Sequence, residues 1–243
     1  MSAFFISALL ILTFISPSFA STVKNIPCLL NATEKADETV MVSRVIDGDT
    51  VQLKDGRKIR LIGINSPETN SSDHTAEPYA QVATIFVRDL LKISSTVQIR
   101  YGAQKKDHYG RLLAHVFLNN KQNLNALILQ KGFARSLYIP PNDWQYRCYD
   151  RLDKQAQQLK VGLWSNKAYQ TINVNTLKPE KTYNNKFLQV SGIVSHVGNS
   201  KNNIWINLGS KFVLRIDKSS LIFFNEINFD KLPEKKIIAR GYV

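Results

Sequence analysis

The stretch VIDGDTVQLKDGRKIRLIGINSPE, residues 45–68, decides the predicted fold, and it places charges where strands should bury apolar side chains. Two turn dipeptides, Asp47-Gly48 and Asp55-Gly56, separate the short runs MVSRVI, DTVQL and RKIRLIGI. Alternating apolar residues on both sides of Asp-Gly turns are typical of β-hairpins. The stretch therefore predicts a meander of three antiparallel strands that begins near Val42.

Helical and strand patterns alternate after this meander. EPYAQVATIFVRDLLK, from Glu77, has apolar residues at helical spacing, with Pro78 at a position suited to the first turn. TVQIRYG and RLLAHVFL predict two further strands, whereas NLNALILQKG and YRCYDRLDKQAQQLKVGLW predict two further helices. Five short strands with a helix after the third predict an α+β fold, namely an OB-like five-stranded β-barrel with three helices.

Strand patterns return in the last part of the chain, in FLQVSGIVSHV, NIWINLG, KFVLRI and KIIARGYV. They predict a second small β-rich domain, for which another OB-like barrel is one option. Trp205 in this region fits core packing better than a base-stacking platform, and both interpretations stay open. The predicted organisation is a signal peptide (1–20), a lead-in (21–41), a barrel domain (42–166), a linker (167–184) and the β-rich domain (185–243).

The first twenty residues contain no charged side chain and are apolar from Ala3 to Phe14. This run is too short for a comfortable membrane span and precedes small residues, so it predicts a cleaved signal peptide. An N-terminal membrane anchor is the alternative. A secreted or periplasmic location is expected, without a stable membrane partner after cleavage. In such a location the only two cysteines, Cys28 and Cys148, favour a disulfide bond over two free thiols.

The formal net charge of +13 makes a polyanion the expected partner, with nucleic acid considered before an anionic surface. The hydrophobic fraction of 44% excludes a disordered composition. Residues 171–243 carry 11 Lys and Arg against five Asp and Glu. The C-terminal region is therefore expected to bind nucleic acid through its charge, so that its deletion should weaken binding and flatten the salt dependence.

Charges of both signs gather at one end of the predicted barrel. Asp49 begins the second strand, Arg60 lies inside the third, Glu68 follows its end, and Arg111 lies between strands four and five. Phosphodiester hydrolysis needs oxygen ligands for a hard cation, a base for water and donors for the phosphate, and these side chains supply all three. The spacing alone also fits a structural Arg60–Glu68 ion pair and an Asp49 that caps a turn.

Several motifs in order, VIDGDTVQL, RKIRLIGINSPE, KDHYGRLLAHVFL, LNALILQKGFARS and VGLWS, resemble the thermonuclease family, typified by staphylococcal nuclease. The resemblance covers residues 42–166. It implies Ca²⁺-dependent cleavage of DNA and RNA that leaves 3′-phosphates. It also implies that Arg60 and Arg111 are catalytic arginines and that Glu68 is the general base for the attacking water.

The same resemblance implies the ligands of the metal. Asp49 corresponds to a metal-binding aspartate, and Ser66 to a position whose backbone carbonyl binds the ion. Asn65 departs from the family pattern, which has an aspartate there. A neutral amide oxygen predicts weaker Ca²⁺ binding, a changed metal preference or a metal-independent site.

Candidates for substrate contact lie near these residues. Tyr109 and Tyr138 correspond to tyrosines that contact the nucleotide in the family, and His108 beside Tyr109 is a further candidate for a phosphate contact. The alternative function is a catalytically weakened module that binds nucleic acid or protein on a nuclease fold. The presence of Glu68 together with both arginines favours catalysis.

Overall fold

The computed structural model describes residues 28–30, 34–69, 75–93, 95–177, 187–209, 212–224 and 227–242. The predicted signal peptide, residues 1–20, lies outside the described residues. Within these ranges, no helix has the length and apolar character needed to cross a membrane.

A closed five-stranded barrel forms the first part of the fold. The strands of this part are β1 (Glu38–Val45), β2 (Thr50–Leu53), β3 (Lys58–Leu61), β4 (Ile64–Asn65), β5 (Thr96–Lys106) and β6 (Leu112–Phe117). The barrel order is β1-β2-β3-β6-β5, in which only the β3–β6 pair is parallel. Its helices are α1 (Ala80–Ile93), α2 (Leu124–Gln130) and α3 (Tyr146–Gln158). The predicted OB-like barrel with three helices is confirmed.

The alternating strand patterns build the barrel core. The buried apolar side chains of the barrel strands include Val51, Leu53, Ile59, Leu61, Val97, Ile99, Ala114 and Val116. Burial of each Val, Leu or Ile side chain contributes about 1.5–3 kcal/mol. The core therefore fixes the strand register, because a shift by one residue would turn these side chains outward.

The predicted strand RKIRLIGI consists of two strands, β3 and β4. Gly63 between them has a φ of +78°, and a Cβ atom there would lie 2.4 Å from Cδ2 of Tyr149. Only glycine accommodates both constraints. The bend takes β4 out of the barrel, where it pairs with β7 (Arg135–Ser136).

Two helix boundaries also differ from the sequence pattern. Helix α1 begins at Ala80, because Tyr79 has a φ of +70°, which is incompatible with a helical residue. Pro78 lies in the preceding turn, and its carbonyl accepts a hydrogen bond from Tyr169 Oη at 2.7 Å. Helix α3 ends at Gln158, and a short 3₁₀ turn follows at Gly162–Ser165.

A disulfide bond joins Cys28 to Cys148 across a separation of 120 residues, as predicted for an exported chain. The carbonyl of Cys28 accepts a hydrogen bond from Asn123 Nδ2 at 2.8 Å, and the same nitrogen donates to Tyr149 Oη at 3.0 Å. Tyr149 Oη also lies 2.9 Å from His115 Nδ1. Burial lowers the pKa of His115 to about 3, so this residue of β6 is a neutral member of a polar network in the barrel core.

Five further strands form the C-terminal part: β8 (Ile172–Asn173), β9 (Phe187–Asn199), β10 (Asn203–Leu208), β11 (Phe212–Asp217) and β12 (Lys236–Tyr242). Their order is β11-β10-β9-β12, and β8 pairs with β9 in parallel. The described strands form an open sheet. The buried residues of its core face are Val174, Val190, Val194, Ile204, Ile206 and Leu208. Within the predicted linker, residues 167–169 and 174–176 form 3₁₀ turns and residues 172–173 form β8.

Arg240 of β12 connects the C-terminal sheet to α3. Its Nη2 lies 3.1 Å from Asp150 Oδ1, and its Nη1 donates to Asp153 Oδ2. Asp153 is fully buried, and its Oδ2 also accepts from the backbone N and the Oγ of Ser136 at 3.1 and 2.9 Å. The C-terminal sheet thus supplies the cation that compensates a buried carboxylate of the barrel domain.

Candidate active site

The turn between β1 and β2 carries two carboxylates, Asp47 and Asp49. The backbone N of Asp49 donates to Asp47 Oδ1 at 2.9 Å, which shapes the turn. At Gly48, between them, a Cβ atom would lie only 2.7 Å from Cβ of Ser66. Because glycine has no Cβ, the turn packs closely against the chain that follows β4.

Asp49 is buried and has a partner on each side. Its Oδ2 accepts from the backbone N of Ser66 at 2.6 Å and lies 3.1 Å from Nη2 of Arg60. Its Oδ1 accepts from Thr50 Oγ1 at 3.1 Å. These bonds fix the carboxylate at the start of β2 and compensate its burial.

Arg60 of β3 spans the gap between this turn and β4. Its Nη1 donates to the carbonyl oxygens of Leu61 and Ile64 at 2.7 and 2.8 Å, and its Nη2 donates to Asn65 Oδ1 at 3.0 Å. One guanidinium nitrogen therefore contacts oxygens of both Asp49 and Asn65. The structure thus places side by side two oxygens that were predicted as metal ligands.

Glu68 lies at the mouth of this cluster. The residue as a whole is exposed, but protein atoms surround part of its carboxylate. The resulting desolvation, and then the negative charge of Asp49, raises the pKa of Glu68. The positive charges of Arg60 and Arg111 act on the same carboxylate in the opposite direction. The structure therefore brings Glu68 into the electrostatic range of both arginines.

Two acids of the site were not among the predicted site residues. Burial, and then the charge of Asp49, raises the pKa of Asp47 to about 7. Glu77 holds the backbone of Glu68, since Glu77 N donates to Glu68 O at 2.9 Å and Glu68 N donates to Glu77 Oε2 at 3.1 Å. Asp47 could have been predicted from the Asp-Gly-Asp motif, in which it lies two residues before Asp49. Its place in an Asp-Gly dipeptide instead indicated only a turn residue. No sequence signal marked Glu77.

Arg111 precedes β6 and is anchored by Asp107. Asp107 Oδ2 accepts from Arg111 Nε at 2.7 Å, and Oδ1 accepts from the backbone N of Arg111 at 2.9 Å. Burial alone would raise the pKa of Asp107, but the hydrogen bonds from Arg111 outweigh this effect and lower it. The ion pair engages the Nε side of the guanidinium and orients the group.

The three predicted substrate contacts fall into two places. Tyr109 is 73% exposed, its ring centroid lies 3.8 Å from that of His108, and the Arg111 guanidinium lies 5.4 Å from it. These two residues therefore form one exposed cluster with a catalytic candidate. Tyr138 is half-buried and packs against Tyr146 at a centroid distance of 5.1 Å. Burial raises the pKa of Tyr138 to about 12, so its hydroxyl is neutral at physiological pH.

The side chains at the mouth suit a hard divalent cation in donor type and in charge. All the candidate donors are oxygens: the carboxylates of Asp47 and Asp49, the amide of Asn65 and the carbonyl of Ser66. Burial, and then the negative charge of Asp49, raises the pKa values of Asp47 and Glu68 and so disfavours their ionised forms, which a cation would favour. No group of three or more Asp, Glu, His or Cys in the described ranges is arranged to hold a metal. Asn65 contributes an amide oxygen rather than a carboxylate.

Known proteins are similar to this chain over part of its length. A family model described as staphylococcal nuclease homologue matches residues 58–166. A thermonuclease of Staphylococcus hyicus is 39% identical over 141 residues, which is 57% of this chain and 80% of the relative. A thermonuclease of Staphylococcus intermedius is 35% identical over 141 residues, which is 57% of this chain and 83% of the relative. Endonuclease YhcR of Bacillus subtilis (strain 168) is 27% identical over 178 residues, which is 68% of this chain but 14% of that protein.

Proposed function

The chain belongs to the family of staphylococcal nuclease homologues, and we propose that it is an exported endonuclease that hydrolyses phosphodiester bonds in DNA and RNA. The thermonuclease and endonuclease relatives support a nuclease. The observation that carries the proposal is that the charges of Asp49, Arg60 and Arg111 all act on the Glu68 carboxylate, beside the Arg60–Asp49 ion pair. This set combines a base with the cationic groups that a phosphate transition state requires.

Glu68 acts as the general base. Its pKa lies above the ordinary glutamate value because of desolvation and the charge of Asp49, which brings it closer to the working pH. The carboxylate accepts a proton from a water molecule as the water oxygen attacks phosphorus. The bond from phosphorus to the 5′-oxygen then breaks, so the products are a 3′-phosphate and a 5′-hydroxyl.

Arg60 and Arg111 supply positive charge to the phosphate as its negative charge grows. The planar guanidinium of Arg111 suits phosphate oxygens because it offers two donors in a fork. The Nε bond from Arg111 to Asp107 holds one edge of that group and sets its orientation. Both Nη groups of Arg60 already contact protein oxygens, so Arg60 acts through its positive charge. Arg60 is fixed by two carbonyls and two side-chain oxygens, so it is preorganised beside Asp49.

Asp49, Asn65 and the Ser66 carbonyl, with Asp47 beside them, would hold a divalent cation, for which we propose Ca²⁺. The cation supplies charge neutralisation at the phosphate. With an amide at position 65, the site carries one negative charge fewer than a site with an aspartate. A low Ca²⁺ affinity is therefore part of the proposal.

Export is supported by two features of the chain. The first twenty residues have the apolar pattern of a signal peptide, and Cys28 forms a disulfide bond with Cys148. Stable disulfides form in oxidising compartments. We therefore place the enzyme in the periplasm or the medium.

The test is cleavage by the purified chain. Plasmid DNA, single-stranded DNA and RNA are incubated with the protein in Ca²⁺ or in chelator, and the product ends are identified by mass spectrometry. We expect cleavage of all three in Ca²⁺, with 3′-phosphate ends. Glu68→Gln should lower kcat/KM by about 10²–10⁴-fold because the base is lost.

Asp89→Asn is the matched control, because Asp89 is an exposed acid of α1 whose partner is Lys92. It should cleave as the unsubstituted protein does. Full activity of Glu68→Gln would remove Glu68 from the mechanism. A properly folded chain that binds nucleic acid but cleaves none with any divalent cation would instead favour the non-catalytic binding module.

A further inference from the structure

The C-terminal sheet presents large apolar side chains to solvent on the face opposite its core. In β10, Ile204 and Ile206 are buried, whereas Trp205 between them faces the other way and is 37% exposed. The sequence had favoured core packing for this tryptophan, and the structure places it outside the core. The exposed large apolar residues of strands β9 to β12 are Ile193, Trp205, Val213 and Ile238, and strand alternation puts all of them on this outer face.

Trp205 lies on the outer face of β10, the strand between β9 and β11. Its cross-strand neighbours are Gly198 on β9 and Arg215 on β11. Its Nε1 donates to Ser200 Oγ at 3.2 Å, which fixes the indole. A Cβ atom at Gly198 would lie at ordinary contact distance from His196 Nε2 and Trp205 Cβ, at 3.7 and 3.8 Å, so Gly198 lies between these two side chains.

Basic side chains lie on and beside this outer face. Arg215 and His196 lie on the face itself and are exposed, Lys236 of β12 lies opposite Ile193, and Lys201 lies in the turn before β10. Among the described residues of β9–β12, the one acid on this face is Asp217, at the end of β11. The surrounding region, residues 171–243, has 11 basic and five acidic residues.

We propose that this outer face, defined by Ile193, His196, Trp205, Val213, Arg215 and Ile238 and called the Trp205 face, binds single-stranded nucleic acid. A base stacks on the indole, and the basic side chains contact the phosphates on either side. Single strands are favoured over duplexes because their bases are free to stack on protein. The proposal rests on the proposed function, since the ligand is the polymer that the barrel domain cleaves.

The position of the face agrees with this ligand. The described C-terminal strands form an open sheet and not a closed barrel, but in OB barrels it is likewise the face of the second and third strands that binds oligonucleotides. Trp205 and Arg215 are a cross-strand pair on β10 and β11, the second and third strands of the β9–β12 path in chain order. An anionic membrane would also attract apolar and basic side chains, so vesicle binding is measured beside oligonucleotide binding.

Binding is measured by fluorescence anisotropy with a labelled thymidine oligonucleotide, in the Glu68→Gln background and in chelator, so that the probe stays intact. Trp205→Ala should weaken binding by about tenfold, because stacking of one base is worth that much or more. Trp205→Phe should retain most of the affinity because it keeps an aromatic surface. Arg215→Ala should weaken binding and reduce the slope of log K against log salt by about 0.7, the value for one phosphate contact on a single strand.

Matched controls lie on exposed positions outside the face. Leu159→Ala removes a side chain that is 73% exposed near the end of α3, and Lys92→Ala removes an exposed lysine of α1. Both should leave the affinity nearly unchanged. These point substitutions are cleaner than deletion of residues 171–243, because the deletion also takes Arg240 away from buried Asp153.

A nitrophenyl ester of a thymidine phosphate separates the face from the active site. With Glu68 intact, Trp205→Ala should hydrolyse this short ester at the unaltered rate but show a higher KM for the oligonucleotide. If the unsubstituted protein cleaves neither substrate, the proposed function fails, while the binding measurements in the Glu68→Gln background still test the face.

Three results would overturn the inference. The first is unchanged oligonucleotide affinity in folded Trp205→Ala, with folding checked by circular dichroism. The second is an equal loss of affinity for duplex and single strand, which would exclude base stacking. The third is loss of binding to vesicles of phosphatidylcholine and phosphatidylserine with unchanged oligonucleotide affinity, which would assign the face to a membrane.

Discussion

Asp47 gives the active-site mouth a titration near neutral pH. Its pKa is about 7, against an ordinary value of 3.8, because of burial and the charge of Asp49. Since the folded-state pKa is higher than the unfolded one, the folded protein takes up a proton between these two values that the unfolded chain does not. Without a divalent cation, the ionised Asp47 therefore lowers the free energy of unfolding by its full amount above pH 7. This loss becomes smaller as the pH falls below 7 and disappears near pH 3.8.

We expect Asp47→Asn to stabilise the protein in chelator at mildly alkaline pH by roughly 2–4 kcal/mol, because the asparagine carries no charge that burial would desolvate or that would repel Asp49. Its amide oxygen can still accept from the backbone N of Asp49. Urea unfolding at a series of pH values measures the difference, which should shrink as the solution is acidified. A difference that is constant with pH, or a destabilised variant, would contradict the argument.

Asn65 is the neutral oxygen ligand of the proposed cation site. Its Oδ1 accepts from Arg60 Nη2 next to Asp49 Oδ2, so an aspartate in its place would put a second carboxylate at the same point. We expect Asn65→Asp to bind Ca²⁺ roughly tenfold more tightly, because hard cations prefer charged oxygen ligands. Calorimetric titration with Ca²⁺ measures this directly and does not depend on activity.

Asn65→Ala is the companion variant, because it removes the oxygen and should weaken Ca²⁺ binding. Equal affinities in the protein with Asn65 and in Asn65→Asp would show that position 65 does not contact the ion.

For single residues, the sequence predicted the convergence of those that belong to one local motif. Asp49, Arg60 and Glu68 lie within one stretch whose turns and strands are short, so their convergence followed from strand geometry. Glu77 could not be found in this way. Glu77 lies nine residues after Glu68, and nothing in the residue types predicts that the two meet.

Arg240 makes the stability of helix α3 depend on strand β12. It lies on β12 but compensates Asp153 of α3, which is fully buried and also holds Ser136 of β7. A buried carboxylate without its cation is strongly destabilising. The stability of the barrel domain therefore depends on a strand that begins about 80 residues after α3.

We expect Arg240→Ala to lower the free energy of unfolding by about 3–5 kcal/mol, as when one partner of a buried pair is removed. Equilibrium unfolding in urea measures the loss. Arg215→Ala, an exposed arginine of the same sheet, should change stability by less than about 0.5 kcal/mol. The double variant Arg240→Met with Asp153→Leu should recover much of the loss, and failure to do so would mean that Arg240 acts by another route.

Element types were predicted well, and element ends were not. The strands of the barrel followed from their alternation, which the core enforces. The break in RKIRLIGI depends on Gly63 and the ring of Tyr149, residues far apart in sequence. The start of α1 depends on the backbone of Tyr79, which no periodicity encodes.

The disulfide acts on the molecule as a whole. It closes a loop of 120 residues, from the lead-in to α3, and so restricts the unfolded chain more than the folded one. We expect the Cys28→Ser, Cys148→Ser double variant to be less stable by about 3–5 kcal/mol. Thermal unfolding with and without reductant measures this.

Reductant should lower the melting temperature of the unsubstituted protein and leave that of the double variant unchanged. An effect of reductant on both proteins, or on neither, would mean that the bond does not determine stability.

The arrangement of the whole chain was predicted only in part. Composition and strand patterns indicated two β-rich regions and a basic surface. They did not indicate that β8, which lies within the predicted linker, would join the second sheet. They also did not indicate which face of β10 would meet the core, and therefore that Trp205 would face outward.

The Ser136 contacts bear on how this protein can be recombined with its relatives. Ser136 pairs with Ile64 of the active-site strand on one side and reaches Arg240, through Asp153, on the other. The matched family region ends at residue 166, yet a chimera spliced there would inherit Asp153 without its guanidinium. A fragment of this chain that is to carry the barrel domain into a chimera must therefore either include β12 or have Asp153 replaced by an apolar residue.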